Sequence, residues 1–238
     1  MNEAIHEMTM PAVAEGLATS AAWMRMPGQT WPDAAASFLA MWVVMMVAMM
    51  LPSLVPMLRR YRRAVGRTGG VGGARLGALT ALVGGGYFFV WTGLGAVGYP
   101  LGATLAAIGM REPAWARAAP VVAGVVVLVA GALQLTAWKA RQLACCREEL
   151  GHGRALPADA GTAWRHGLRL GLLCSRCCAG LIAILLVVGV MDLRAMALVT
   201  AAITAERLAP AGDRVARAIG GAVVGTGLVL IARAAGLC

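Results

Sequence analysis

An all-α, polytopic bundle of about six membrane-spanning helices is the fold this sequence predicts, and three observations predict it. Hydrophobic residues make up 60% of the chain, charged residues only 13%, and the mean hydropathy is +0.74. Apolar runs of about 20 residues without a charge recur, the length an α-helix needs to cross a hydrocarbon core of about 30 Å. The remaining charges are mainly arginines gathered between those runs, the pattern of a chain whose solvent is lipid.

Taken in order, the spans are expected at about Ala34 to Met57, Leu76 to Gly98, Ala118 to Trp138, Leu168 to Met191, Leu193 to Ala209 and Val215 to Ala235. Pro52 and Pro56 should kink or end the first, because each removes a backbone donor. The fifth, only about 25 Å long at about 1.5 Å per residue, either crosses a locally thinned bilayer or folds back on the fourth as a hairpin. Gly73 and Gly77, Gly167 and Gly171, and Gly221 and Gly225 have the small-xxx-small spacing that lets membrane helices approach closely. Residues 1–33 are expected to form an extracytoplasmic segment and residues 34–238 a single transmembrane domain. Glu3, Glu7, Glu15 and Asp33 interrupt any compact apolar core before the first span, so that span is expected to act as the insertion signal.

Orientation follows from the basic residues. Arg59, Arg60, Arg62, Arg63, Arg67 and Arg75 follow the first span; Lys139, Arg141, Arg147, Arg154, Arg165 and Arg169 separate the third and fourth; Arg207, near the end of the fifth, and Arg214 and Arg217 fall on the same side. Only Arg25, Arg111, Arg117, Arg194 and Arg233 fall on the other side. The heavy side is predicted to be cytoplasmic, with both termini outside, in a bacterial inner membrane. The net charge of +10 is thereby explained without nucleic acid. Cys145 and Cys146 would then face a reducing compartment, which argues against a standing disulfide.

Sulfur is the unusual ingredient: six Cys and 14 Met. Cys174, Cys177 and Cys178 share an arc of about 100° on one helix, and soft thiolates converging in low dielectric suit Cu(I), with Zn(II) as second choice. In the first span Met41, Met45 and Met49 form one stripe and Met46, Met50 and Met57 an adjacent one. A methionine stripe alone is more often packing than a ligand set, but here it accompanies the thiols. Cys145 and Cys146 offer a second station on the same side. His6, Met8, Met10, Met24 and Met26 offer weak ligands near the N-terminus, while His152 and His166 fall in a polar loop and Cys238 looks incidental. Arg176, about 200° from Cys174 on the wheel, needs a partner, and Glu206 on the antiparallel fifth helix is the natural candidate, either as an ion pair or as a hard ligand or proton acceptor.

Several strings together are similar to a bacterial family of metal-binding integral membrane proteins, also described as copper chaperones. They are Met41-Trp42 through Ala48-Met49-Met50-Leu51-Pro52 with Pro56; Gly86-Tyr87 with Trp91; Gln134-Leu135 with Lys139, Cys146 and Arg147; and Gly171-Leu172-Leu173-Cys174 with Cys177-Cys178, Gly189-Val190-Met191, Met196 and Glu206. The resemblance covers most of the chain and implies metal binding, with copper the suggested ion. The chain departs from the family pattern at Arg176 and Ala179, which flank the Cys doublet where the family usually has Gly and Trp, and at Gln142, where the family's earlier Cys falls.

Three functions follow. The first is a copper-handling membrane protein, in which Met thioethers pass Cu(I) toward Cys174, Cys177 and Cys178. Its partners are the bilayer and a cuproprotein or copper chaperone, and a homo-oligomer is compatible. The second is a membrane thiol-disulfide oxidoreductase cycling Cys174 with Cys177, resolved by Cys178 or Cys145. The third is a scaffold whose sulfur is packing. No catalytic Ser-His-Asp set, phosphate-binding glycine loop or carboxylate pair is present, and no nucleotide motif suggests an ATP-driven pump.

Overall fold

The computed structural model describes residues 23, 25, 28–67, 71–111, 113–151, 157–189 and 192–236, with backbone alone at 110, 113–117 and 147–151. The expectations for His6, Met8, Met10, Met24, Met26, His152 and Cys238 lie outside the described residues. Within them the chain is wholly helical: α1 Trp31–Gly66, α2 Gly73–Arg111, α3 Pro113–Gln134, α4 Ala137–Gly151, α5 Ala160–Val188, α6 Leu193–Leu208 and α7 Gly212–Ala234. Helices α1, α2, α5 and α7 are each long and apolar enough to cross a membrane, and α3 with α4 adds a fifth crossing if that bent pair is one span.

The first helix begins at a capping box. Thr30 Oγ1 accepts from the Asp33 amide at 3.4 Å while the Asp33 carboxylate accepts from the Thr30 amide at 3.3 Å, satisfying two donors that a helix start leaves open. Of the two expected effects, ending the helix does not occur at Pro52 and Pro56: α1 runs on to Gly66. The reason is its amphipathic second half. Met57, Tyr61 and Val65 are buried at i, i+4 and i+8, and Arg59, Arg60, Arg62 and Arg63 project away from them, so packing carries the helix past both prolines.

Helix α5 is central, packing on α2, α3, α4 and α6. Its approach to α2 is at backbone contact: a Cβ on Gly171 would stand 2.9 Å from the Tyr87 carbonyl oxygen, and one on Gly167 would strike Val83. Of the three predicted glycine pairs only this one is an interface. Gly73, Gly77, Gly221 and Gly225 have nothing within 4 Å, and α3 meets α7 instead through Gly131 against the Val224 amide and Gly227 against the Leu128 amide. Gly171→Val is therefore expected to destabilise the bundle by about 1–3 kcal/mol or more through overpacking. Gly225→Ala is expected to be neutral or to stabilise by up to about 1 kcal/mol. Thermal unfolding in detergent separates the two.

The third predicted span is broken. Thr136 donates to the Leu133 carbonyl at 2.7 Å and accepts from the Lys139 amide at 3.3 Å. One side chain thus closes α3 and caps α4, and the two helices meet at 65°. This bend turns Lys139 and Cys146 toward α5 and makes a helix of what was expected to be a loop. Gly189, at φ +127°, and Asp192, whose carboxylate accepts from the amides of Arg194 at 2.7 Å and Ala195 at 3.2 Å, reverse the chain into α6. That helix, 16 residues long, packs against α5; its length falls below that of the four single-helix candidates.

Candidate metal centre

Cys174, Cys177 and Cys178 project from one face of α5 and are all buried, with exposures of 0%, 2% and 2%. The Cys174 sulfur lies 3.8 Å from Cys178 Sγ and 3.9 Å from Met50 Sδ on α1. Sulfurs that share one ion at about 2.3 Å stand about 3.8–4.0 Å apart in tetrahedral or trigonal geometry, and both separations match. Cys177 lies beside Cys146 of α4 as well as Cys178, and the Cys146 thiol donates to the Leu173 carbonyl at 3.6 Å. Among the described residues no three His, Cys, Asp or Glu side chains form a metal cage by themselves; the third sulfur at Cys174 is a thioether. The five described cysteines are unbridged.

Two donors converge on Cys174. The Tyr87 hydroxyl of α2 and Arg207 Nη1 of α6 each reach its sulfur at 2.9 Å. Arg207, 4% exposed, also donates to Ser53 Oγ at 3.1 Å and from Nη2 to Met57 Sδ at 3.5 Å. Beside it Lys139 Nζ bonds Glu206 Oε2 at 2.7 Å and the Cys177 carbonyl at 2.6 Å, and Gln134 Nε2 donates to Glu206 Oε1 at 2.5 Å. A lysine, a carboxylate and a guanidinium thus sit together in an apolar interior, each with partners, as buried charge requires.

Several sequence expectations need correction. Glu206 does not pair with Arg176. Helix α6 packs on the cysteine face of α5, while Arg176 emerges about 200° away, exposed and lining a groove of about 780 Å³ walled by Trp42, Trp91, Leu94 and Ile182. Lys139, expected in a loop, and Arg207, counted only among the cations that orient the chain, are buried at the site. His166 stacks on Tyr61, with ring centroids 5.5 Å apart, because α5 begins earlier than predicted. Met45 and Met49 are buried and Met41 half-buried, but the methionine that touches Cys174 is Met50, from the adjacent stripe. Met49 lines a groove with Met196 instead. Cys145 is exposed while its neighbour Cys146 faces α5. The residues that sequence reasoning underused, Tyr87, Ser53 and Arg207, had one signal: a lone guanidinium adjoining Glu206 at the end of an apolar helix.

Buried soft sulfur with fixed countercharges on an all-helical frame fits the class of metal-handling membrane proteins. A family model described as copper chaperone matches residues 39–230, and the chain belongs to that family. Its role in copper handling follows from that membership. No curated protein and no solved structure matches the chain.

Proposed function

We propose that this protein is an inner-membrane carrier or delivery factor that holds copper as Cu(I) on Cys174 and Cys178, with the Met50 thioether as third ligand. The observation that supports this most is the pair of sulfur separations at Cys174, 3.8 and 3.9 Å. Thiolate and thioether donors favour a soft monovalent ion, and zinc remains the second choice. A Cu(I) ion between two thiolates carries net negative charge, and Arg207 is the buried cation left over once Lys139 and Glu206 offset each other. Cys177 with Cys146 forms the adjoining station toward the Arg-rich end. Met45 and Met49, with Met41 above them, continue the sulfur along α1.

On this reading the bundle has six crossings, α3 with α4 and the short α6 included. Its Arg-rich end faces the cytoplasm and both termini lie outside. Copper then passes to or from a cuproprotein or soluble chaperone at the thiol end. The test is Cu(I) titration of anaerobic, reduced protein in detergent against a competing chromophoric chelator. Wild type should take up Cu(I) stoichiometrically, and a Cys174→Ser, Cys177→Ser, Cys178→Ser variant should lose at least one equivalent. Equal uptake by the two proteins would exclude the cluster as the binding site.

A further inference from the structure

The sulfur cluster has a mouth. At the Arg-rich end, a cavity of about 270 Å³ opens between the C-terminal end of α6 and the second half of α1, lined by Ser53, Pro56, Met57, Arg60, Arg207 and Pro210 and by no carboxylate. The cavity reaches the cluster through Arg207, a lining residue whose guanidinium also donates to Cys174 and Met57. Its Nε donor is buried and has no hydrogen-bond partner among the described residues. A buried donor without an acceptor carries a desolvation cost that a ligand oxygen would relieve.

Two guanidinium groups around so small an opening repel a bare cation and attract an oxyanion, and guanidinium binds carboxylate with matched geometry. The volume falls just below the range of about 300–1,000 Å³ typical of small-molecule sites, so it suits the end of a peptide-sized anion and not a folded partner. We propose that this cavity is an anion-binding vestibule for a low-molecular-weight thiol bearing carboxylates. Resting on the copper reading above, the metal crosses this mouth as the complex of such a thiol and not as a free ion. The carboxylates bind Arg60 and Arg207, which sets the carrier's sulfur toward Cys174. The exchange is balanced: the metal's bond to the carrier sulfur breaks as its bonds to Cys174 and Cys178 form, and of the two protons these cysteines release one leaves on the carrier thiol and the other goes to water. Copper stays Cu(I) throughout.

The experiment uses metal-free, full-length protein in detergent and two probes that carry no metal: S-methylglutathione, which has two carboxylates, and the cationic S-methylcysteamine. Calorimetric titration is expected to show saturable binding of the first, weakened by salt, and none of the second. Arg60→Gln should weaken S-methylglutathione about tenfold, the scale of one charge-assisted contact, and Arg60→Lys should recover part of it. Equal binding of the two probes to wild type, or undiminished binding by Arg60→Gln, would overturn the vestibule. Because neither probe brings copper, that outcome is separate from the Cu(I) titration.

Discussion

Replacing Lys139 with alanine is expected to destabilise the protein by about 3–5 kcal/mol, the cost of breaking a buried ion pair by removing one member. The side chains of Lys139 and Glu206 are 3% and 2% exposed and 2.7 Å apart. Lys139 also ties α4 to α5 through the Cys177 carbonyl, and Glu206 ties α6 to α3 through Gln134. One substitution therefore breaks an ion pair where four helices meet. The distinguishing measurement is a recovery. In a Lys139→Met, Glu206→Gln variant neither charge remains, the introduced amide keeps a polar group for Gln134, and most of the lost stability should return, since neutral replacements of a buried pair are often tolerated. Thermal unfolding in one detergent compares all three proteins. A double variant no more stable than Lys139→Ala would show that the pair is not what holds these helices.

Which parts of this architecture were legible beforehand follows from where the information sits. Helical class and the cysteine face needed only periodicity and composition: Cys174, Cys177 and Cys178 are at helical spacing whatever surrounds them. The glycine interface was half legible. Spacing alone cannot distinguish Gly167 and Gly171, pressed on α2, from Gly221 and Gly225, which face open space. The break at Thr136 was hidden because no Gly or Pro marks it; a hydroxyl bonded on both sides makes the break inside an apolar run. Lys139 and Arg207 were misplaced for a related reason. Charge counting treats every basic residue near a span as solvated, and only the 65° bend and the packing of α6 against α5 reveal two of them as interior. Likewise Met41, Met45 and Met49 form one stripe and Met46, Met50 and Met57 the next, and only the packing of α1 against α5 brings Met50 to 3.9 Å from Cys174, which no one-helix pattern can specify. Glu206 is the carboxylate expected to answer Arg176, and it is instead buried against Lys139.

Arg207→Gln carries the second large effect: Cu(I) affinity is expected to fall between tenfold and a hundredfold, which corresponds to the about 1.5–3 kcal/mol typical of a hydrogen bond to a charged group. The argument turns on sign. If copper sat among neutral sulfurs, the bound site would be positive, and deleting a cation 2.9 Å from Cys174 would tighten binding. If copper is held by two thiolates, the bound site is negative, Arg207 is its counter-ion, and the deletion must loosen it. Glutamine retains a donor for Ser53 and part of the side-chain volume, so the change tests charge more than packing. Arg207→Lys, which keeps the charge but not the fork that reaches Ser53, Cys174 and Met57 together, should fall between the two. Competition titrations against the same chelator at two salt concentrations measure all three. Because the guanidinium is 4% exposed, its effect should change little with salt, unlike that of the exposed Arg60 at the cavity mouth. Tighter copper binding in Arg207→Gln would reject the two-thiolate assignment while leaving the sulfur cluster itself in place.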